Sequence, residues 1–449
     1  MSEFNTLFES FYSVFTSPSF LHFRSLMISL WSLPIVTGGQ MSLARIWLAS
    51  GLSTHWDATA RFVRSYRWSG EDLARALTLF VLSQVKHRLP TNKDGRRVLL
   101  VGVDETLDNH YSAKKMFGVS RHFNSAARAG QSKYRLGHCW VTLSILIDVR
   151  VGYVRALGIN IALYIARKGS DELAYKSKRE LATEMLEQLC SWVGEEYLIA
   201  VVGDRYYAAR DWINTQSDMQ RRVVTRLRVD ARLYEIAKQV KRKKGQKGRS
   251  KKYGTKISLR HRATHAEKFE EEREMFVYGT LHKVRLRKLE CYWRGVTEAV
   301  SVVIVIGIGK KPFYLLDTAR EAAAEETLSF YAARHAVEQG YEDLKCDGGL
   351  GHYRGRTELG VRRFAMLAVT SQTLLRLMEL IPELCIRLPK VEEPWRASKE
   401  HLSLGQIRLA IGKLLLERYA RTGNFFNVGQ NLEDEGNSQT TEMPLQRVA

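Results

Sequence analysis

The spacing of apolar residues changes character near residue 95 and again near residue 320. Up to about residue 90 the period is helical. Thr16-Ser17-Pro18 predicts a helix start, with a hydroxyl cap and an early proline. That helix is expected to end near Pro34, ahead of the breaker Thr37-Gly38-Gly39. Helices over Met41–Ser50 and Thr54–Ser65 flank a turn at Gly51, and Ser69 caps another that runs to about His87.

From Val98 the runs become β-rich: Val98–Val103, His138–Ile147 and Gly152–Leu163. Ser170-Asp171 predicts the start of a long amphipathic helix ending near Trp192. A fourth strand over Leu198–Gly203 leads into Asp204, a helix covers about Tyr207–Met219, and Arg222–Leu227 is a fifth strand. Three strands, helix, strand, helix, strand is the order of a ribonuclease-H-like α/β fold. Its core is a mixed five-stranded sheet with flanking helices, in which the ends of the first and fourth strands are neighbours.

The next strong helical period covers residues 322–347 and contains Glu338, 134 residues after Asp204. One strand and one connection do not need that much chain, so a β-rich insertion is expected. Lys238–Lys256 holds ten Lys/Arg, three glycines and no acid, which predicts a mobile loop. Phe276–Tyr278, Lys283–Arg287, Glu290–Trp293, Val300–Ile308 and Phe313–Leu316 follow as antiparallel strands. Helices over about 356–386 and 404–421 precede a tail rich in Asn, Gln, Glu, Ser and Thr. The expected plan is an N-terminal helical, DNA-binding domain over 1–90 and a catalytic domain over 91–390. The basic loop and β insertion (229–320) lie within the latter, and a helical region (391–421) and a disordered tail (422–449) follow.

Charge changes the picture. The net charge is +21 on 449 residues, and the excess is clustered, which suits a polyanion such as nucleic acid. Arg61, Arg64 and Arg67 would suit DNA contact if the Gly51 turn belongs to a helix-turn-helix, but an ordinary helical hairpin fits the pattern as well. Five widely spaced cysteines without a C-x-x-C pair fit a reducing cytoplasm, and a structural zinc site is not expected. No membrane span or secretory signal is read from the sequence.

The candidate chemistry lies in Asp104, Asp204 and Glu338. Asp104 and Asp204 each close an apolar strand run. Three carboxylates converging from two strand ends and a helix can hold a pair of Mg²⁺ ions, with Mn²⁺ as a substitute, and such a pair clamps both oxygens of an in-line phosphoryl displacement. On one continuous helix, Arg334, Glu338 and Lys345 fall within about 60° of Tyr331. That stripe suits a phosphodiester backbone; taken alone, a solvated face with i,i+4 ion pairs such as Arg334 with Glu338 is the commoner case, and the two upstream aspartates at strand ends shift the balance. Glu342 is a rival for the third carboxylate, while His122, His138 and His335 read as structural or phosphate-facing rather than as ligands.

Tyr331-x2-Arg334-x3-Glu338-x6-Lys345 resembles the Tyr-Arg-Glu-Lys signature of bacterial insertion-sequence DDE transposases. Val101-Gly-Val-Asp104-Glu-Thr106 is similar to their first-aspartate motif, with Glu105 where many have aspartate, and Val202-Gly-Asp204 to the second. Gly118–His122 and Gly137–Val141 look like the block between. The resemblance implies that Asp104, Asp204 and Glu338 bind metal, and that Tyr331, Arg334 and Lys345 contact DNA near the cleaved end. It also implies a β insert before the glutamate and a homodimer or larger assembly on DNA.

The expected activity is hydrolysis at transposon terminal inverted repeats, then strand transfer of the freed 3′ hydroxyl into target DNA. Lys241, Arg242, Lys243 and Lys244 would add sequence-independent DNA affinity. Trp293 could stack on an extruded base, although a sheet-core role is the commoner one. Two alternatives stay open: a non-enzymatic DNA-binding protein derived from a transposase, and a ribonuclease-H-like nuclease without strand transfer. A bacterial cytoplasmic, nucleoid-associated location is the corresponding expectation.

Overall fold

The computed structural model describes residues 7–37, 41–49, 56–110, 113, 115–124, 127, 129–130, 132–150, 152–167, 175–238, 251–381 and 402–422. Lys241, Arg242, Lys243, Lys244, Gly51 and the tail beyond Thr422 lie outside them.

Among the described residues twelve strands join in one mixed sheet. β1 (Arg97–Asn109) pairs antiparallel with β3 (Tyr134–Arg150) and parallel with β5 (Tyr197–Gly203), which is parallel to β6 (Arg222–Leu227). β3 carries β4 (Tyr153–Tyr164) along most of its length and β2 (Ser120–Phe123) at its start. The β-rich stretch does not stand apart. β12 (Phe313–Asp317) pairs with β6, and β11 (Val300–Ile306) and β10 (Thr280–Trp293) follow in the same sheet. β9 (Arg273–Val277) pairs with β10, as does β7 (Leu233–Ile236), whose other partner is β8 (Tyr253–Ile257). β7 and β8 bracket the basic segment.

Strand alternation divides the interior in two. Leu99, Val101, Val103, Ile199, Val201, Val302 and Ile304 face a core shared with the helices Ser17–Thr37, Gly70–Val85, Lys178–Val193 and Glu358–Leu380. The helix Leu404–Thr422 packs on Ser17–Thr37 and feeds Leu404, Ile407 and Ile411 into the same core. Val202, Val224, Val303 and Val305 face the other way, onto the helices Ala324–Ala333 and His335–Cys346. Each such buried aliphatic side chain contributes about 1.5–3 kcal/mol.

Several boundaries differ from the sequence expectation. The first helix runs through Pro34 to Thr37, since an internal proline removes one hydrogen bond without ending a well-packed helix in every case. The expected start at Ser170-Asp171 lies outside the described residues; the helix runs from Lys178, where Ser177 and Glu180 form a reciprocal capping box. Ser69 caps its helix as expected, accepting from the backbone of Glu71 and Asp72. β1 does not stop at Asp104. Glu105–Asn109 pairs on with Val141–Gly137 of β3.

The expected helix over 322–347 is two helices that meet at Arg334. The hydrogen bonds there are of i+3 type, from Arg334 N to Tyr331 O (3.2 Å) and from Val337 N to Arg334 O (2.9 Å). This tighter winding shifts the phase of everything downstream. Tyr331, Arg334 and Glu338 nevertheless border one groove. Tyr331 turns into the core at 6% exposure while Glu338 stays open to solvent.

Candidate active site

Val103 of β1 faces Gly203 of β5 across a parallel ladder. Asp104 and Asp204 thus leave adjacent strands side by side, about 5 Å apart at the backbone. The helix His335–Cys346 lies over β1 on the same face. Gly102 permits that approach, since a Cβ there would come within 2.6 Å of Val337 Cγ2. Tyr341 further along the helix shares a 2.7 Å hydrogen bond with Thr142, the cross-strand partner of Asp104.

Arg334 sits at the centre of this arrangement. One guanidinium nitrogen donates to Asp104 Oδ2 (2.7 Å) and another to Glu338 Oε1 (2.6 Å). Asp104 Oδ1 accepts from the backbone N–H of Glu105 (2.8 Å), and Asp204 Oδ1 from that of Tyr206 (2.8 Å). Glu338 Oε2 also lies 3.2 Å from His335 Nδ1. Asp104 is only 9% exposed. Burial pushes its carboxyl up to about 7 against the opposing pull of Arg334 and the Glu105 N–H, with the Asp204 and Glu105 charges adding to the rise. Burial works against the Arg334 charge too, but Asp104, Tyr331 and Glu338 outweigh it and hold the guanidinium above its usual range. Arg334 thus neutralises Asp104 and Glu338, and the carboxylates of Asp104, Asp204 and Glu338 do not draw together closely enough here to form a ready cation site. Their oxygens are of the type that divalent Mg²⁺-class ions take.

The other residues read from the sequence fall in varied places. Glu105 points to the opposite face of the sheet, where it accepts from Lys178 Nζ at 2.6 Å. Lys345 is half-buried, its ammonium pushed down by burial and drawn up by Asp108. Glu342 is exposed on the same helix. Trp293 is buried in the larger core, with the Arg210 guanidinium 5.8 Å from its ring. Arg61 and Arg64 both pair with Asp57, at 3.1 and 3.4 Å.

Two features escaped the sequence reading. A groove of about 560 Å³ opens beside Glu338, lined by Arg226, Lys310, Lys311, Tyr331 and Arg334 among others. Its exposed lysines stand on the β11–β12 turn, and the signal for them was the short run Gly309-Lys310-Lys311. The second is a buried group formed by Asp108, His110 and His138. Burial pushes the His138 imidazole down to about 4.

A large mixed sheet with helices on it fits a DDE nuclease fold. Residues 33–291 match the family described as DDE superfamily endonuclease, and the chain belongs to that family. The match includes Asp104 and Asp204 and ends before Glu338. It makes the chain a DDE transposase-like nuclease, with DNA as the implied substrate, and enzymes of this superfamily use divalent metal ions. No curated protein matches the chain. Among the described residues no helix is long and apolar enough to cross a membrane.

Proposed function

We propose that this protein is a DNA transposase of the Tyr-Arg-Glu-Lys type, built on a ribonuclease-H-like core. It cuts at transposon terminal inverted repeats and joins the freed 3′ hydroxyl to target DNA. The observation that carries the reading is the shared guanidinium of Arg334, which ties Asp104 to Glu338 beside Asp204.

In this reading Asp104, Asp204 and Glu338 would hold the divalent ions, Mg²⁺ in the first instance. When bound, such ions activate water and stabilise the departing oxygen in phosphodiester cleavage. The Glu105 N–H fixes Asp104 Oδ1, and Oδ2, which accepts from Arg334 here, is the oxygen that would be offered to an ion. The Arg334 guanidinium would be suited to grip a phosphate with two parallel hydrogen bonds. Lys345 lies further along the same helix and Tyr331 lines the groove, which suits contact with the DNA end. The N-terminal helices would recognise the terminal repeats, the basic segment over 241–244 would add affinity, and two or more copies would hold both ends.

The test uses the full-length protein with DNA carrying the sequence ends that flank its coding region, Mg²⁺ and a supercoiled target. Cleavage at the ends followed by joined product is expected. Nicking without joining would replace this reading with a nuclease lacking strand transfer. A footprint without nicking under Mg²⁺ or Mn²⁺ would replace it with a non-enzymatic DNA-binding protein.

The groove makes a separate prediction. Replacing Lys310 and Lys311 together by alanine removes two exposed cations beside Glu338. The slope of log affinity against log salt is expected to fall by about 2, and binding to weaken about equally across sequences. Fluorescence anisotropy over a salt series measures both, and an unchanged slope would take DNA out of the groove.

A further inference from the structure

The second acid–imidazole group belongs to no part of the site described so far. Asp108 and His110 stand at the end of β1, and His138 comes from β3, where its backbone faces that of Asp108. One ligand-type atom from each lies within 4.8 Å of the others. All are shut away from water, Asp108 at 7%, His110 at 2% and His138 at 1% exposure. We propose that these residues form a buried site for a divalent ion of the zinc class.

Four observations support it. Neither ring nitrogen of His110 makes a hydrogen bond, an uncommon and costly state for a buried imidazole. Its Nε2 lies 3.0 Å from Asp108 Oδ2. The contact is misaligned for a hydrogen bond, so the nitrogen is left without a proper partner. His138 has the complementary arrangement, with Nε2 2.8 Å from the Phe117 carbonyl. An Nε2–H donated there turns Nδ1 into a lone-pair donor of fixed direction, as the outer partners of metal-binding histidines do.

The third observation is space. A cavity of about 10 Å³ lies between these side chains, Met116, Trp140 and the Leu350–Gly351 turn, roughly the size of one water. The fourth is the turn itself. A Cβ on Gly351 would lie 2.1 Å from Asp108 Oδ1, so the carboxylate is pressed against a residue that must be glycine. A tetrahedral ion with bonds of about 2.0–2.1 Å needs ligand atoms roughly 3.3 Å apart, so the three side chains would close in on the ion as it binds, and a water would complete the four ligands.

The donor set separates this site from the triad. Two imidazoles and one carboxylate suit zinc, whereas three carboxylates suit magnesium. Cysteine spacing gave no hint of it, because no thiol takes part. Occupancy would pin the end of β1 to the start of β3, just beyond the helix that carries Glu338.

The test is metal retention by the untagged full-length chain. After incubation with zinc(II) and gel filtration in excess Mg²⁺, about one zinc per chain is expected by mass spectrometry. Asp104→Asn should keep it. Both His110→Ala and the near-isosteric Asp108→Asn should lose it, with the latter keeping the parent circular dichroism if His110→Ala does not fold. Cobalt(II) in place of zinc should give the strong visible bands of a tetrahedral site in the parent and none in Asp108→Asn. A parent that retains no zinc, or an Asp108→Asn chain that retains as much as the parent, overturns the proposal.

Discussion

Asp104→Asn is expected to lower divalent-ion-dependent cleavage of end-containing DNA about a thousandfold or more, close to 4 kcal/mol of lost transition-state stabilisation. The substitution keeps the shape of the side chain and its acceptor to the Glu105 N–H (2.8 Å). It removes the charge that faces Arg334 at 2.7 Å and adjoins Asp204. Cation binding needs that charge, whereas DNA affinity rests on lysines and arginines elsewhere. Binding should therefore stay within about threefold of the parent, since phosphate contacts are unaltered. End-labelled DNA on a denaturing gel measures cleavage, and anisotropy measures binding. An Asp104→Asn chain that cuts within about tenfold of the parent would remove Asp104 from the site, and Asp204→Asn and Glu338→Gln are held to the same standard.

The second large effect concerns stability. Arg376→Met is expected to cost about 3 kcal/mol, because it strands the largely buried Asp343 carboxylate and removes one of the partners of Glu379. Arg376 donates to Asp343 Oδ2 (2.5 Å), Glu379 Oε2 (3.0 Å) and the Leu402 carbonyl (3.2 Å). Arg155 of β4 adds paired bonds to Glu379 at 2.7 and 3.0 Å. Asp343 lies on the helix that carries Glu338, so this network fastens that helix to Glu358–Leu380 and to the sheet. Urea titration followed by circular dichroism gives the change. A loss below about 1 kcal/mol would show that the network is no better than a surface pair. Adding Asp343→Leu to the variant should recover part of the loss, since the stranded charge is then gone, whereas Glu379 keeps its pairing with Arg155.

The sequence made the central strands legible because their signal is local. Arg222–Leu227 has the bounds read from its alternation, and Tyr197–Gly203 differs by one residue at its start. Pairing between distant strands has no such signal, so the docking of β12 on β6 could not be read. Short half-exposed strands such as Leu233–Ile236 fell below notice for the same reason. The start at Lys178 was legible in principle, since Ser177-Lys-Arg-Glu180 is a capping-box pattern. At the candidate site, the aspartates were found by their place after apolar runs, although β1 continues past Asp104. Arg334 was read as a DNA contact, and its ion pairs with Asp104 and Glu338 add a role that depends on folding. His110 could not be singled out, because its neighbour His138 is near only after β1 and β3 pair.

The ladder between β6 and β12 has a mechanical consequence. The turn bearing Lys310 and Lys311 is the outer end of a stiff cantilever whose root is hydrogen-bonded, through β6, to the strand that precedes Asp204. If nucleic acid loads that tip, the paired strands offer a hydrogen-bonded path by which the load would reach the strand that ends at the second aspartate.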